Sequence, residues 1–493
     1  MSLLKAEDIS VRDGATTLLS PMSLHLDPGE PLVVLGETGS GKSLMAQALM
    51  GILPGGLAAR GRVAIGDRVL SAAAPDGFRG LWGREIGVLP QEPWLSLDPL
   101  MRARGQIAET HGLVRGLTPP EARDRAAADL DALGLAGAGG RYPHELSGGM
   151  AQRVAIAAAR AGGARIVIAD EPTKGLDASR RDDVAALLLS EMGQSGGLLV
   201  ITHDLALARR MGGRLIVLRA GQVVESGATA QVFAAPQAPY TRSLFAADPD
   251  SWPKRTAAGK GGSLVIQAQG LTVSRGGHRL FDDVSLQIRA GEILGVTGPS
   301  GCGKSSLGDV LLGLLQPDRG QVLRHPSDRP TAFQKLYQDP VAAFPRKRRI
   351  GDAIADLLKI TGRPLAEIDP LLDRLGLDPV LLSRLPGAVS GGELQRLSLL
   401  RVLLRAPAFI FADEPTSRLD PITQARVIAL LADTAGADGT AVMLVSHDHA
   451  LIRNTADTAV SLGSDGPGQA APAGHAAGRG TGAMALSRSA GEP

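Results

Sequence analysis

Cysteine is almost absent from this sequence. Among 493 residues there is one, Cys302, which excludes a disulfide framework and also excludes cysteine-rich zinc or iron–sulfur sites. A reducing compartment is the expectation. Long apolar runs are missing as well. Stretches such as "VLLGLL" (Val310 to Leu315) fall far short of the roughly 20 residues that span a bilayer. The first residues, "MSLLKAEDIS", hold no basic region followed by an apolar core, so no signal peptide is expected. Charge of one sign is not in excess either. The formal net charge is +2, with Lys and Arg spread along the chain, which gives no electrostatic footprint for nucleic acid. The expectation is a soluble chain.

What is present is globular: 44% hydrophobic and 21% charged residues, in a chain long enough for about three domains. It also repeats itself. "GETGSGKSL" begins at Gly36 and "GPSGCGKSS" at Gly298. After the first come "VLPQEP" around Gln91, "LSGGM" from Leu146, "IVIADEPT" from Ile166, "GLD" ending at Asp177 and "VITHD" from Val200. After the second come "LYQDP" around Gln338, "VSGGE" from Val389, "FIFADEPT" from Phe409, "RLD" ending at Asp420 and "LVSHD" from Leu444. Ser147 to Glu171 and Ser390 to Glu414 both span 24 residues. Repetition of one motif order at one spacing marks two copies of a domain. The copies differ in one interval: Lys42 to Gln91 is 49 residues and Lys304 to Gln338 is 34. The second is therefore shortened in a segment of strands and loops.

Composition divides the chain into 1–244, a linker at 245–263, a second domain at 264–463 and a low-complexity tail at 464–493 that is expected to be disordered. Apolar runs bounded by Gly or Asp, among them "PLVVLG", "RIVIAD", "GLLVIT", "EILGVTG", "FIFAD" and "AVMLVS", predict buried strands of an α/β sheet. "PPEARDRAAADLDAL" (Pro119 to Leu133) opens on proline with helical spacing and predicts a helix.

The chemistry follows from residue type. Gly36, Gly39 and Gly41 let the backbone turn its N–H groups inward around an anion, and the helix that follows adds positive potential. Lys42 supplies a point charge for β- and γ-phosphates and Ser43 a hydroxyl for Mg²⁺, with Glu37, Thr38 and Ser40 completing the loop. Gly298, Pro299, Ser300, Gly301, Cys302, Gly303, Lys304 and Ser305 repeat the arrangement. Asp170 and Asp413 end apolar strands, where a carboxylate can hold Mg²⁺. Glu171 and Glu414 come next and are placed to polarise an attacking water as general bases. His203 and His447 follow those glutamates by 32 and 33 residues, which points to a role at the γ-phosphate. Ser147, Gly148 and Gly149, like Ser390, Gly391 and Gly392, open helices that can receive an anion. Cys302, near a helix start and Lys304, sits where a thiol pKa falls; a small filler residue is the other reading.

Together these motifs resemble the ATP-binding cassette (ABC) ATPase family over about 450 residues of the chain. The resemblance implies an α/β fold of two tandem P-loop NTPase domains. Each has a RecA-like core, an antiparallel β subdomain and a helical subdomain. It assigns Gln91 and Gln338 to nucleotide and Mg²⁺, and Asp177 and Asp420 to the D-loops. It implies ATP and Mg²⁺ as cofactors, bound in two head-to-tail sites of a single-chain pseudo-dimer. "RYPHELSGGM", "QEPWLSLDP" and "APYTRSLF" look like the oligopeptide/dipeptide/nickel uptake group. That group implies two integral-membrane permease subunits, an extracytoplasmic solute-binding protein, no nucleic acid, and a peripheral place on the cytoplasmic face of the inner membrane. The alternative is a soluble twin-cassette ATPase acting on ribosomes or nucleic acid, but the long basic arm and zinc cysteines of such proteins are absent. Where the family places an adenine-stacking aromatic, this chain has Asp13 and Arg275; arginine can stack on a base and aspartate cannot.

Overall fold

The computed structural model of the protein describes residues 2–173, 178–256, 261–299, 301–326, 330–417, 419–463 and 471–472. Asp177 and Ser300 lie outside them, as does the tail beyond 463 apart from Ala471 and Pro472. The chain divides into two compact units: Met1–Trp252 with Thr416–Val427, and Pro253–Pro415 with Ile428–Pro493.

The first unit begins with β1 (Leu4–Asp13), β2 (Thr16–Leu26), β3 (Leu32–Leu35), α1 (Lys42–Met50), β4 (Leu57–Ile65), β5 (Arg68–Ser71) and β6 (Ile86–Leu89). Helices α2 (Ala103–Arg115), α3 (Pro119–Ala132) and α4 (Gly148–Arg160) follow. It continues with β7 (Ile166–Asp170), α5 (Ala178–Met192), β8 (Gly197–Thr202), α6 (Leu205–Met211), β9 (Arg214–Arg219), β10 (Gln222–Ala228), α7 (Thr229–Ala234) and α8 (Pro239–Ala246). Its antiparallel sheet runs β2–β1–β4–β5 and its main sheet β10–β9–β3–β8–β7–β6. In the main sheet only the β9–β10 pair is antiparallel. Strand β3 is central, with Val33 opposite Val200 on one side and Leu215 on the other. Because side chains alternate along a strand, Leu32 and Val34 enter the core under the antiparallel sheet and α1. Val33 and Leu35 enter the core that holds the helices.

The expected helix at Pro119 forms with a reciprocal cap. Thr118 N donates to Glu121 Oε2 at 2.9 Å, and the threonine side chain caps the third helical N–H.

The second half repeats the plan with β11 (Leu264–Arg275), β12 (His278–Arg289), β13 (Ile293–Thr297), α9 (Lys304–Leu312), β14 (Arg319–Arg324) and β15 (Phe333–Leu336). Then come α10 (Ile350–Thr361), α11 (Ile368–Leu375), α12 (Gly391–Leu403), β16 (Phe409–Asp413), α13 (Pro421–Asp438), β17 (Ala441–Val445), α14 (His449–Thr455), β18 (Thr458–Ser461) and β19 (Ala471–Pro472). The main sheet, β15–β16–β17–β13–β18–β19, has the strand order of the first. The antiparallel sheet has three strands, β12–β11–β14. Among the described residues no strand takes the place of β5, and its loss, with a shorter β14 and a shorter loop after it, goes with the shortened interval before Gln338.

Part of the stretch expected as a linker is held by polar contacts. Arg255 pairs with Asp457, its backbone N–H donates to Asn454 O at 2.8 Å, and Asp457 also accepts from Ile293 N at 2.8 Å. Among the described residues no helix is long and apolar enough to cross a membrane.

Candidate functional site

The first phosphate loop leaves the fully buried β3 at Gly36. A Cβ added there would stand 2.2 Å from Leu218 O, so the backbone can pass only as glycine. Gly39 and Gly41 hold φ at 82° and 100°, and their counterparts Gly301 and Gly303 at 82° and 101°. Helices α1 and α9 start at the next residues, Lys42 and Lys304, so each loop ends on a helix N-terminus where an anion is favoured. Lys42 is 5% exposed, and its Nζ donates to Gly36 O at 2.7 Å and Glu37 O at 2.8 Å. Burial pushes its pKa down, while the carboxylates of Glu171 and Asp170 oppose that shift. Lys304 Nζ reaches Gly298 O and Pro299 O, both at 2.9 Å. Cys302 is half-buried and packs against the apolar cluster of its half.

Asp170 and Asp413 end β7 and β16 as expected. Ser305 Oγ donates to Asp413 Oδ1 at 3.1 Å. Burial raises the Asp413 pKa, opposed by that hydrogen bond and by Lys335, whose Nζ is 3.9 Å away. A hydroxyl beside a carboxylate is a hard-oxygen donor pair of the kind Mg²⁺ takes, with phosphates and water filling the remaining positions, so these residues fit the ion. Among the described residues no cluster of three or more His, Cys, Asp or Glu could hold a metal by itself.

Glu171 and Glu414 share a left-handed backbone, with φ of 49° and 45°. That conformation is strained for a non-glycine residue and persists only where its surroundings impose it. The Glu171 N–H donates to Ile201 O at 2.8 Å and the Glu414 N–H to Val445 O at 3.2 Å, which locks the turn against β8 and β17. Each carboxylate then meets its histidine: His203 Nδ1 is 2.7 Å from Glu171 Oε1 and His447 Nε2 is 2.7 Å from Glu414 Oε1. The second oxygens differ. Thr202 Oγ1 donates to Glu171 Oε2 at 3.2 Å, whereas Gln338 Nε2 donates to Glu414 Oε2 at 3.0 Å. Gln91 is exposed and makes no such bond among the described residues.

Ser147 and Ser390 are the N-caps of α4 and α12, with Gly148, Gly149, Gly391 and Gly392 in the first turns. Ser147 Oγ accepts from Met150 N at 3.4 Å. Ser390 is engaged more tightly: Glu393 Oε2 accepts from its Oγ at 2.6 Å and from its N–H at 3.0 Å. Asp420 is buried and caps α13, accepting from Thr423 N at 3.0 Å. Asp13 and Arg275 are exposed at hairpin ends, paired with Thr16 and His278.

Three contacts escaped the sequence reading. Tyr240 Oη, on α8, accepts from Glu37 N in the first phosphate loop at 3.3 Å; the residue lies in "APYTRSLF", where only its loop contact was hidden. Thr202 was signalled by standing directly before His203. Lys335 links Asp309 (2.7 Å) to Asp413, and no motif marks it.

The family described as "ABC transporter" matches residues 19–174 and 281–417. The chain is 34% identical to "Peptidoglycan transport ATP-binding protein YejF" of Agrobacterium fabrum, covering 93% of this chain and 91% of that protein. It is 33% identical to "Glutathione import ATP-binding protein GsiA" of Escherichia coli, covering 87% of this chain and 79% of that one. Among solved structures, the archaeal ribosome recycling factor aABCE1, in complex with a ribosomal stalk protein, superposes with a TM-score of 0.65. At 23% identity it covers 94% of this chain and 89% of its own, a likeness of fold. The chain thus belongs to the ABC transporter family, as an ATP-binding ATPase made of two ABC ATPase domains.

Proposed function

We propose that the chain is the energy-coupling subunit of an ABC importer. It binds two MgATP in head-to-tail composite sites and drives uptake of a small solute through two separate permease subunits supplied by an extracytoplasmic binding protein. It works as a peripheral protein on the cytoplasmic face of the inner membrane. The observation that carries this reading is 34% identity across 93% of the chain to a protein named for transport ATP binding.

In each half the phosphate loop and Lys42 or Lys304 hold the β- and γ-phosphates. Ser43, Gln91 and Asp170, or Ser305, Gln338 and Asp413, hold Mg²⁺, which when bound neutralises developing phosphate charge. Glu171 and Glu414 take the proton of the attacking water. His203 and His447 fix the carboxylates and face the γ-phosphate. Ser147 and Ser390, with their glycines, present helix starts to the phosphate held by the other half, and Asp177 and Asp420 line the same sites.

The names of the relatives favour a peptide-like solute, with nickel as the other member of the expected class. The test is reconstitution in vesicles with candidate permease subunits of the importer class. Uptake of short peptides, glutathione and nickel is measured with and without ATP. ATP-dependent uptake of any of them supports the reading. ATP turnover indifferent to permeases, together with co-sedimentation with ribosomes, overturns it.

A further inference from the structure

Where α2 and α3 meet the C-terminal ends of α4 and α5 lies a cleft of about 330 Å³. Four guanidinium groups line it, those of Arg115, Arg125, Arg160 and Arg165, against two carboxylates, Asp129 and Glu191. The carboxylates are committed. Arg160 pairs with Glu191. Asp129 receives Arg125 Nε at 3.9 Å and His111 Nε2 at 2.7 Å. Arg115 and Arg165 have no carboxylate within ion-pair distance among the described residues. Arg115 lies across Gly163, where φ is +95° and the turn favours glycine, with its Nη2 2.9 Å from where a Cβ would stand. The wall also holds His111, 1% exposed, whose buried Nδ1 has no hydrogen-bond partner among the described residues.

The repeat supplies a control. Matching the halves on the helix-ending Gly116 and Gly362, on Gly134 and Gly376, and on the capping Ser147 and Ser390 pairs His111 with Leu357 and Arg115 with Thr361. It pairs Arg125 with Glu367, Asp129 with Leu371, Arg160 with Leu403 and Arg165 with Ala408. The second half forms the counterparts of α2 and α4 with leucines and a threonine at these positions, has alanine in place of Arg165, and puts the opposite charge, Glu367, where Arg125 stands. The fold therefore does not need these arginines, and with Arg125 and Arg160 paired to Asp129 and Glu191, the exposed Arg115 and Arg165 leave two unneutralised guanidiniums at the cleft that one anion can join.

We propose that this cleft of the first half binds a small anion with two or more negative charges, of the phosphate or carboxylate class. Arg115 and Arg165 supply forked donors for its oxygens, and the neighbouring Arg160 and His111 complete the wall. Such a ligand ties α2 and α3 to the ends of α4 and α5.

The test is modification of arginines by phenylglyoxal on the full chain, read peptide by peptide by mass spectrometry, with inorganic pyrophosphate or citrate as probes. A site-resolved readout keeps pyrophosphate at the phosphate loops from being counted. At tenfold excess over its dissociation constant a probe slows modification of Arg115 and Arg165 about tenfold, while exposed Arg68 on β5 is unchanged. Arg165→Ala, the second half's residue, removes the protection at Arg115, and His111→Leu weakens it. Protection by pyrophosphate alone names a phosphate and by citrate alone a carboxylate. Either, or both, upholds the site. No protection by either probe, equal protection of Arg68, or protection of Arg115 surviving Arg165→Ala overturns it.

Discussion

His203 and Glu171 meet through Nδ1 and Oε1 at 2.7 Å, and the glutamate reaches that contact only from a left-handed backbone at φ 49°. The second half reproduces both features with His447 and Glu414, through the other ring nitrogen. A strained glutamate held twice by a histidine is the arrangement expected of a water-polarising base whose position matters. Glu171→Gln with Glu414→Gln keeps the shape and removes the base. ATP turnover should fall by ~10²–10⁴-fold while nucleotide still binds. Steady-state phosphate release measures it, and unchanged turnover removes the assignment.

Tyr240 ties the first phosphate loop to α8 through the Glu37 N–H. Burial holds its phenol well above the ordinary tyrosine pKa, so the hydroxyl stays protonated. The second half has no such tyrosine, Pro299 standing where Glu37 stands. Tyr240→Phe removes one hydrogen bond, about 1 kcal/mol. That should weaken nucleotide at the first site about fivefold and leave the second unchanged, as read by ATP crosslinking to each half.

Much of this was legible in sequence, and the reason is local. Phosphate loops, helix-opening serines and strand-ending carboxylates are short patterns whose geometry is set by neighbouring residues, so Gly36, Asp170 and Ser147 appear where their motifs put them. The loss of β5 was legible too, as the missing length before Gln338. Tyr240 and Glu37 are 203 residues apart, and Lys335 meets Asp413 across neighbouring parallel strands. Such contacts come from topology, and no local spacing announces them. The different partners of Glu171 and Glu414 were hidden for the same reason, since both halves carry the same glutamine.

Gly308 on α9 sits under Phe411, and a Cβ there would come within 2.2 Å of the ring. The first half pairs Ala46 with Ile168 at these positions. Alanine is the better helix former by about 1 kcal/mol, yet Gly308→Ala should destabilise the second half by about 1–3 kcal/mol through overpacking. Adding Phe411→Ile should recover most of it. Denaturant unfolding of the three chains checks both the sign and the rescue.

Glu393 closes the capping box of α12, and its hydrogen bond from Ser390 holds its pKa below the ordinary carboxylate value. A lowered carboxylate stabilises the fold above its unfolded pKa, near 4.3, and that contribution is lost as pH falls through the lower folded value. Glu393→Gln, which removes the charge and leaves the Ser390 cap, should therefore weaken protection of the first α12 amides at pH 7 by less than the roughly 1 kcal/mol of a lost N-cap. It should differ less from the unmodified chain in acid. Hydrogen exchange over 390–394 reads this. In α4, where Met150 stands at that position, acid should have no matching effect.

The central claim is that both halves are working nucleotide sites. Equilibrium binding of MgATP to the Glu171→Gln, Glu414→Gln chain counts them directly. Two ATP per chain are predicted, with one remaining after Lys42→Ala, one after Lys304→Ala and none when both lysines are replaced. One ATP per chain before any lysine is changed, or a count unmoved by Lys304→Ala, would contradict it.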